Sequence, residues 1–286
     1  MLSLDGSMAT FADLRGRARG ERLHMIGGRI FGVGGANVVI GPALAVAAVV
    51  AVAIAAAVGR WAGLGTARGA SLAAVRAVVQ LGAVSLLLGA IIGSIPASAA
   101  FVALMVGVAA WTSARRVTGQ PVTRERSGAW VLLPIALAPL PVVGALVAGG
   151  VVPPLGVAII PMAGILIGGT MTATSLAGRR ALDELSSRRG EVEAALSLGF
   201  LDRDAAIEIA RPTAAQALVP PLDQTRTVGL VTLPGAFVGM LLGGATPIEA
   251  GAVQLLVLLL LLAVETVAVA VTVELVCRGR IRRPAE

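Results

Sequence analysis

The chain has 286 residues, of which 57% are hydrophobic and only 14% are charged. Soluble domains average about 45–50% apolar and about 25% charged residues, so the composition excludes an ordinary soluble fold. The formal net charge is +7, and every basic residue is an arginine. Because the arginines lie between apolar runs, we assign them to membrane topology and not to nucleic-acid binding. The single cysteine, Cys277, excludes an internal disulfide and a cysteine metal cluster.

Seven apolar stretches follow one another along the chain. They cover residues 38–58, 71–92, 95–112, 130–152, 155–176, 227–242 and 250–271. Most have the roughly 17–25 residues that a helix needs to cross the hydrocarbon core, and the sixth is the shortest. We therefore predict an all-α integral membrane protein with about seven transmembrane helices. The predicted plan is a polar, arginine-rich tail over 1–37, for which disorder is one option, a transmembrane domain over 38–277 and a basic tail over 278–286.

Arginine placement orients these spans. Arginines follow the first, third, fifth and seventh stretches, whereas the connections at 93–94, 153–154 and 243–249 carry none. Arginine favours the cytoplasmic side, so we expect a plasma (inner) membrane protein with the C-terminus in the cytoplasm and the N-terminus outside. Trp61, Trp111 and Trp130 fall at cytoplasmic span ends, where aromatic rings are favoured. The arginine-rich tail conflicts with this topology; a start at Met8 or Met25, or one miscounted span, would resolve the conflict.

The charged stretch EAALSLGFLDRDAAIEIARP, residues 193–212, interrupts the apolar pattern. It lies in 178–224, the only long connection on the predicted cytoplasmic side. Over residues 181–198 of this connection, Leu185, Val192, Ala195 and Leu196 recur at helical spacing. This pattern predicts a helix too charged to span, so it must lie on the membrane surface or on a partner protein. The spacing is Glu193-Ala194-Ala195, three residues, Gly199, nine residues, Ile209, one residue and Arg211-Pro212.

This spacing resembles the EAA loop of ABC-transporter permeases. The departure is Arg211, which stands where the pattern has leucine before the proline. The resemblance implies a coupling loop made of a helix, a glycine bend and a second helix, which dock on a separate ATPase subunit. The residues that it assigns to this contact are Glu193, Ala194, Ala195, Gly199, Asp202, Ile209 and Pro212. A chance match in an ordinary amphipathic loop is the alternative.

Four further stretches carry a closer resemblance. IIPMAGILIGGTMTATSL (159–176), RTVGLVTLPGAFVG (226–239), VRAVVQL (75–81) and GATPIEAGAVQ (244–254) resemble the FetB-like ABC-transporter permease family. That family includes bacterial iron-export permeases and plant permeases linked to aluminium tolerance. Two positions differ: Gly168-Gly169 replaces the family's Gly-Asn, and Arg226 replaces its usual lysine. The lost asparagine weakens the case for a substrate contact at that position.

Small residues at helical spacing predict close helix packing, because they let backbones approach each other. Two such ridges occur, on the fifth and sixth spans, and a kink is predicted just before the second. Their members are Gly164, Gly168 and Thr172, and then Pro234, Gly235, Gly239 and Gly243. Simple packing and a pore-forming or dimer-forming role are both compatible with this pattern.

Polar residues inside spans are costly and are therefore candidates for a transport path. Arg76 and Gln80 share one face of the second span, and Glu265 in the seventh is expected at a similar depth. We predict that these three residues form one polar site; snorkelling of Arg76 to the membrane surface is the alternative. The further path candidates are Met171, Arg226 and Gln254.

The sequence shows no Gly-rich phosphate loop, no HExxH and no serine–histidine pair, and its only histidine is His24. We therefore expect no enzyme, metal site or cofactor in this chain, with ATP and Mg²⁺ bound by the partner ATPase. The resemblance implies a permease homodimer that exports iron or another metal complex, with a role in metal homeostasis. A sugar nucleotide or another small solute is the alternative cargo. An ion-coupled secondary transporter and a membrane scaffold without transport are the competing classes.

Overall fold

The computed structural model describes residues 41–119 and 126–283. The predicted tail 1–37 and residues 38–40 of the first predicted span lie outside this range. The helices are α1 (Pro42–Trp61), α2 (Ala67–Ile91), α3 (Ile95–Thr118), α4 (Arg126–Ala129), α5 (Leu132–Leu137), α6 (Pro139–Ala148), α7 (Gly156–Ser187), α8 (Arg189–Ser197), α9 (Asp202–Ala215), α10 (Val219–Thr227), α11 (Gly235–Leu242) and α12 (Pro247–Cys277). A 3₁₀ turn, Gln216–Leu218, joins α9 to α10. The all-α prediction is confirmed.

Three long helices, α3, α7 and α12, form the core of the bundle. They run in the same direction, as shown by contacts that join start to start and end to end. Gly156, at the start of α7, lies against Ser98 near the start of α3. Near the other end, a Cβ added to Gly178 of α7 would lie 2.9 Å from Val117 of α3 and 3.4 Å from Thr272 of α12. The missing side chain of Gly178 therefore lets the three helices approach closely.

Five of the described helices are long and apolar enough to cross a membrane: α1, α2, α3, α7 and α12. Helix α7 has 32 residues and α12 has 31. At 1.5 Å per residue they are about 46–48 Å long, whereas the hydrocarbon core is about 30 Å thick. Both helices therefore extend well beyond the hydrocarbon core of a bilayer.

The fourth predicted span forms two consecutive helices, α5 and α6, which together cover 132–148. Pro139 begins the second of them. Proline has no backbone N–H to donate to the preceding turn, so the helix ladder is interrupted there and restarts. This crossing is consequently shorter than predicted from 130–152.

The sixth predicted span, 227–242, is not one helix. Helix α11 has eight residues and is about 12 Å long. The segment before it is a compact turn, in which the Gly229 N–H donates to the Thr232 carbonyl at 2.9 Å. Gly229 has φ +81°, a left-handed conformation that ends α10. Pro234 then precedes α11, so this crossing is a broken helix rather than a kinked one.

The second predicted glycine ridge does not pack within this chain. A Cβ added to Gly235 or Gly239 would meet no described atom within 4 Å, and one added to Gly243 would meet only its own helix. Gly239 and Gly243 instead border an apolar cavity of about 980 Å³ between α7, α11 and α12. On the fifth span, a Cβ added to Gly164 would lie 3.0 Å from the Met105 side chain of α3.

Arginines collect at one end of the bundle, because α3, α7 and α12 run in parallel and each is followed by basic residues. Two tryptophans accompany them. The Arg115 guanidinium lies 5.1 Å from the ring centre of Trp111, and the Arg280 guanidinium lies 5.1 Å from that of Trp130. This arginine-rich end (the last turns of α3, α7 and α12) has the composition of a membrane–water boundary.

Candidate functional site

The corner between α7 and α8 is held by one arginine. Arg188 caps the end of α7 and donates to Glu184 at 3.1 Å and to Glu191 at 2.7 Å. The hydrogen bond from Arg188 holds the pKa of the Glu191 carboxyl below its usual range, and the same bond raises the pKa of Arg188. These contacts link the last turn of α7 to the first turn of α8, so α8 leaves the bundle at a defined angle.

Helix α8 carries the start of the predicted coupling loop, and none of its residues is buried. Glu193 accepts a hydrogen bond from Arg189 at 3.0 Å within the same helix, and Ala194 and Ala195 lie beside it. Only Val192 and Ala195 of this helix are half-buried, where it contacts α7 and α9. The remaining residues of α8 are exposed and can contact another surface.

The turn after α8 presents an apolar tip. Gly199 has φ +91°, which side-chain-bearing residues rarely adopt, and this conformation reverses the chain between α8 and α9. Around it, Leu198 is 80% exposed, Leu201 is 72% exposed and Phe200 is half exposed. We call Leu198, Phe200 and Leu201 the apolar tip. Its side chains face away from the bundle, as those of a docking surface do.

Helix α9 anchors the other side of the loop. Its buried face consists of Ala205, Ala206, Ile209, Ala210 and Ala214, and it packs on α7 and α12. Asp202 and Asp204 lie in the first turn, where negative charge is favourable to the helix dipole. Pro212 lies inside α9, and Arg211 is exposed. Because that position faces outward, arginine replaces the leucine of the EAA pattern without burying a charge.

Ion pairs connect the 193–212 loop and the C-terminal tail to the ends of the long helices. Arg203 in α9 donates from two nitrogens to the two carboxylate oxygens of Glu274 in α12, each at 2.7 Å. The Glu274 hydrogen bonds, and then those of Asp204, raise the pKa of Arg203. Arg283 donates to Asp183 of α7 at 2.7 Å and to the Val117 carbonyl of α3 at 3.3 Å. The sequence analysis did not identify these ion pairs, because their members are separated by 71 and 100 residues.

A second feature, the Glu265 pocket, is an open cavity of about 310 Å³ between α7, α12, α10 and the 3₁₀ turn before α10. Its polar lining comes from Thr172, Gln224 and Glu265. Glu265 is only 8% exposed. A Cβ added to Gly169 would collide with the Glu265 carboxylate and lie 2.6 Å from Leu261. The second glycine of Gly168-Gly169 therefore makes the room that the carboxylate occupies.

The structure does not bring the predicted polar site together. Arg76 and Gln80 are exposed on α2, which packs mainly on α1, whereas Glu265 is buried on α12. Among the described residues, no ion pair joins Arg76 to Glu265. The prediction of one site is thus corrected: similar depth in the bilayer does not place two helices side by side.

The other path candidates are also dispersed. Met171 is half-buried in α7, and its carbonyl accepts from Ser175 at 2.7 Å. Arg226 lies 3.4 Å from Asp223 on the exposed side of α10. Gln254 is buried in α12 and accepts from the Phe237 N–H at 3.2 Å, which ties α11 to α12. Across 41–119 and 126–283, no group of three or more His, Cys, Asp or Glu residues could hold a metal ion.

Comparison with known proteins identifies a family and several relatives. The family described as "Uncharacterised protein family (UPF0014)" matches 43–281. The UPF0014 membrane protein STAR2 of Oryza sativa subsp. japonica is 33% identical over 199 residues, which are 68% of each chain. Protein ALUMINUM SENSITIVE 3 of Arabidopsis thaliana is 31% identical over 163 residues, 57% of this chain and 58% of that protein.

A bacterial relative, the "Probable iron export permease protein FetB" of Escherichia coli (strain K12), is 33% identical over 95 residues, 33% of this chain and 37% of that protein. No solved structure matches the chain. The family match covers all the described helices except the start of α1, and it includes both the 193–212 loop and the Glu265 pocket. The chain is a multi-pass membrane protein that belongs to the UPF0014 family, and its relatives include plant proteins and a probable bacterial iron export permease.

Proposed function

We propose that the chain is the membrane subunit of an ABC exporter and that a separate ATPase subunit docks on the 193–212 loop. The observation that carries this proposal is the apolar tip. Leu198, Phe200 and Leu201 stay exposed beyond the membrane-crossing helices, on a loop whose two ends are held by ion pairs. An apolar knob on a fixed support suits a groove in a partner protein.

The supports give this contact a mechanical consequence. Helix α9 buries its apolar face on α7 and α12, and Arg203 adds a two-fold hydrogen bond to Glu274. Movement of a docked ATPase would therefore act on the ends of both long helices through rigid contacts. The same two helices border the Glu265 pocket. Closure of the ATPase subunits around ATP would change the helix spacing at that pocket and alternate its access.

The proposed topology places the arginine-rich end in the cytoplasm. The parallel directions of α3, α7 and α12 support it, because their basic C-terminal ends then share one side of the membrane. The ATPase, with its ATP and Mg²⁺, meets the loop on that side. We assign the chain to the plasma (inner) membrane, with the N-terminus outside and a second permease copy completing the transporter.

The proposed cargo is iron or another metal, with a function in metal homeostasis. The names of two relatives, a probable iron export permease and the protein ALUMINUM SENSITIVE 3, support a metal cargo. Export of a sugar nucleotide or another small solute is the alternative. Uptake into inside-out vesicles that contain the permease and its ATPase, with metal ions in one series and nucleotide sugars in another, distinguishes the two.

Cross-linking tests the docking. Ser197→Cys and Asp202→Cys place thiols on either side of the apolar tip, and Val151→Cys is the control at the opposite end of the bundle. The native Cys277 is buried and provides the background. We expect a thiol cross-linker in native membranes to join the first two variants, but not the control, to a polypeptide with a Walker A loop. Labelling of positions 197 and 202 by an impermeant reagent from outside the cell would refute both the topology and the contact.

A further inference from the structure

Glu265 is the feature that the docking loop leaves unexplained. It lies 18 residues after Pro247 and 12 residues before Cys277 in α12, which is about 27 Å and about 18 Å along the helix. A carboxylate at such a depth is costly unless something compensates its charge. In the described part of the chain, however, no hydrogen bond or ion pair involves Glu265, although the residue is only 8% exposed.

The space beside Glu265 could hold a group that compensates the negative charge of its carboxylate. The carboxylate borders the Glu265 pocket, whose other polar lining groups are the Thr172 hydroxyl and the Gln224 amide. Thr172 donates its proton to the Gly168 carbonyl at 3.1 Å, so its oxygen lone pairs remain free to accept. Within the described residues, no arginine lines the pocket. The pocket therefore offers one negative charge and neutral oxygen atoms.

The size of the pocket defines the form of a suitable ligand. Six water molecules at about 30 Å³ each occupy about 180 Å³, and the pocket, which is open and includes the exposed Thr172 and Gln224, has a volume of about 310 Å³. A small divalent ion thus fits together with its first water shell. Ions that prefer oxygen ligands, such as Mg²⁺, keep several waters and bind proteins through one or two carboxylates.

We propose that Gly169, Glu265, Thr172 and Gln224 form a cation-binding site that takes a small divalent cation together with its water shell. Gly169 provides the space, Glu265 the charge, and Thr172 and Gln224 hydrogen-bond the waters. The site discriminates against anionic solutes, because a phosphate group would meet the unpaired carboxylate. A single carboxylate also binds weakly enough for the ion to leave, as a transport path requires.

The interpretation of this site as the entry point of an exporter rests on the proposed function, because only the proposed topology places the site toward the cytoplasm. Cation binding itself requires neither the ATPase nor transport. The experiment therefore uses the permease alone, so a failure of docking at the 193–212 loop and a failure of this site give different results.

The probe is Mn²⁺, whose free hydrated ion is counted by electron paramagnetic resonance, with the full-length protein in lipid nanodiscs. We expect saturable Mn²⁺ binding by the wild type. Glu265→Gln keeps the shape but removes the charge and should weaken binding about 10–100-fold. Gly169→Ala should weaken it by filling the space next to the carboxylate. Gly107→Ala on α3, whose added Cβ meets nothing within 4 Å, is the matched control and should bind as the wild type does.

A second measurement covers the case in which the variants fail to fold. Dicyclohexylcarbodiimide modifies carboxyl groups in apolar surroundings, and peptide mass spectrometry of the native protein would locate the adduct on Glu265. We expect Mn²⁺ to slow this labelling, whereas an uncharged sugar at the same concentration should not. Absence of Mn²⁺ binding by the wild type, equal binding by Glu265→Gln, or labelling that Mn²⁺ leaves unchanged would each overturn the proposal.

Discussion

Truncation of Leu198 in the apolar tip isolates the energy of docking from the energy of folding. Leu198 is 80% exposed, so Leu198→Ala removes few contacts within the chain. Exposed substitutions of this kind usually change the free energy of unfolding by less than about 0.5 kcal/mol. The variant should therefore insert into the membrane and unfold at the same temperature as the wild type.

The expected loss of affinity follows from the area that docking would cover. Leucine to alanine removes three carbon groups, each worth about 0.8 kcal/mol on full burial, or about 2.4 kcal/mol together. Because 80% of Leu198 is available for burial by the partner, the loss is about 1.9 kcal/mol. At 1.4 kcal/mol per factor of ten, Leu198→Ala should raise the Kd for the ATPase subunit about 20-fold.

The assay is a titration of the co-purifying ATPase subunit, fluorescently labelled, with the chain in lipid nanodiscs. Leu64→Ala is the control, because Leu64 is 64% exposed in the α1–α2 connection on the same proposed side of the membrane. An unchanged Kd for Leu198→Ala would show that the apolar tip is not the contact. An equal loss for Leu64→Ala would show that the effect is not specific to the loop.

Three further predictions concern the supports of the loop and the core. Gly199→Ala should destabilise the turn by about 1–2 kcal/mol, because φ is +91° there. Gly190→Ala should instead stabilise α8 by about 0.5–1 kcal/mol. Hydrogen exchange of the loop amides measures both effects, and equal protection in the two variants would contradict the assignment. Gly178→Ala should cost about 1–3 kcal/mol by overpacking in the core, and a thermal unfolding temperature equal to that of the wild type would refute the close approach. Arg203→Gln and Glu274→Gln should each lower stimulated ATP hydrolysis, and the double variant no further than either; additive losses would mean that the two side chains act separately.

Much of the architecture follows from properties that act over consecutive residues. Apolar runs long enough to cross a bilayer predict helices in the membrane, and five of the seven predicted runs form helices long and apolar enough to do so. Gly199 lies where the EAA spacing requires a bend, and its positive φ agrees with that expectation. Local interactions decide both features: the transfer free energy of neighbouring side chains in one case, and the steric freedom of a single residue in the other.

Other features depend on how the helices face each other. The close-approach glycine toward α12 is Gly169 and not Gly168, and one residue changes the direction on a helix by about 100°. Arg203 forms an ion pair with Glu274 on another helix, in addition to its pair with Asp204. Arg76, in contrast, is exposed on α2 and forms no ion pair with Glu265 among the described residues. The apolar runs of the sequence predicted the long helices, but not the breaks within the fourth and sixth predicted spans. Only the packed bundle decided which residues meet, because helix rotation and lateral order depend on contacts between segments far apart in the chain.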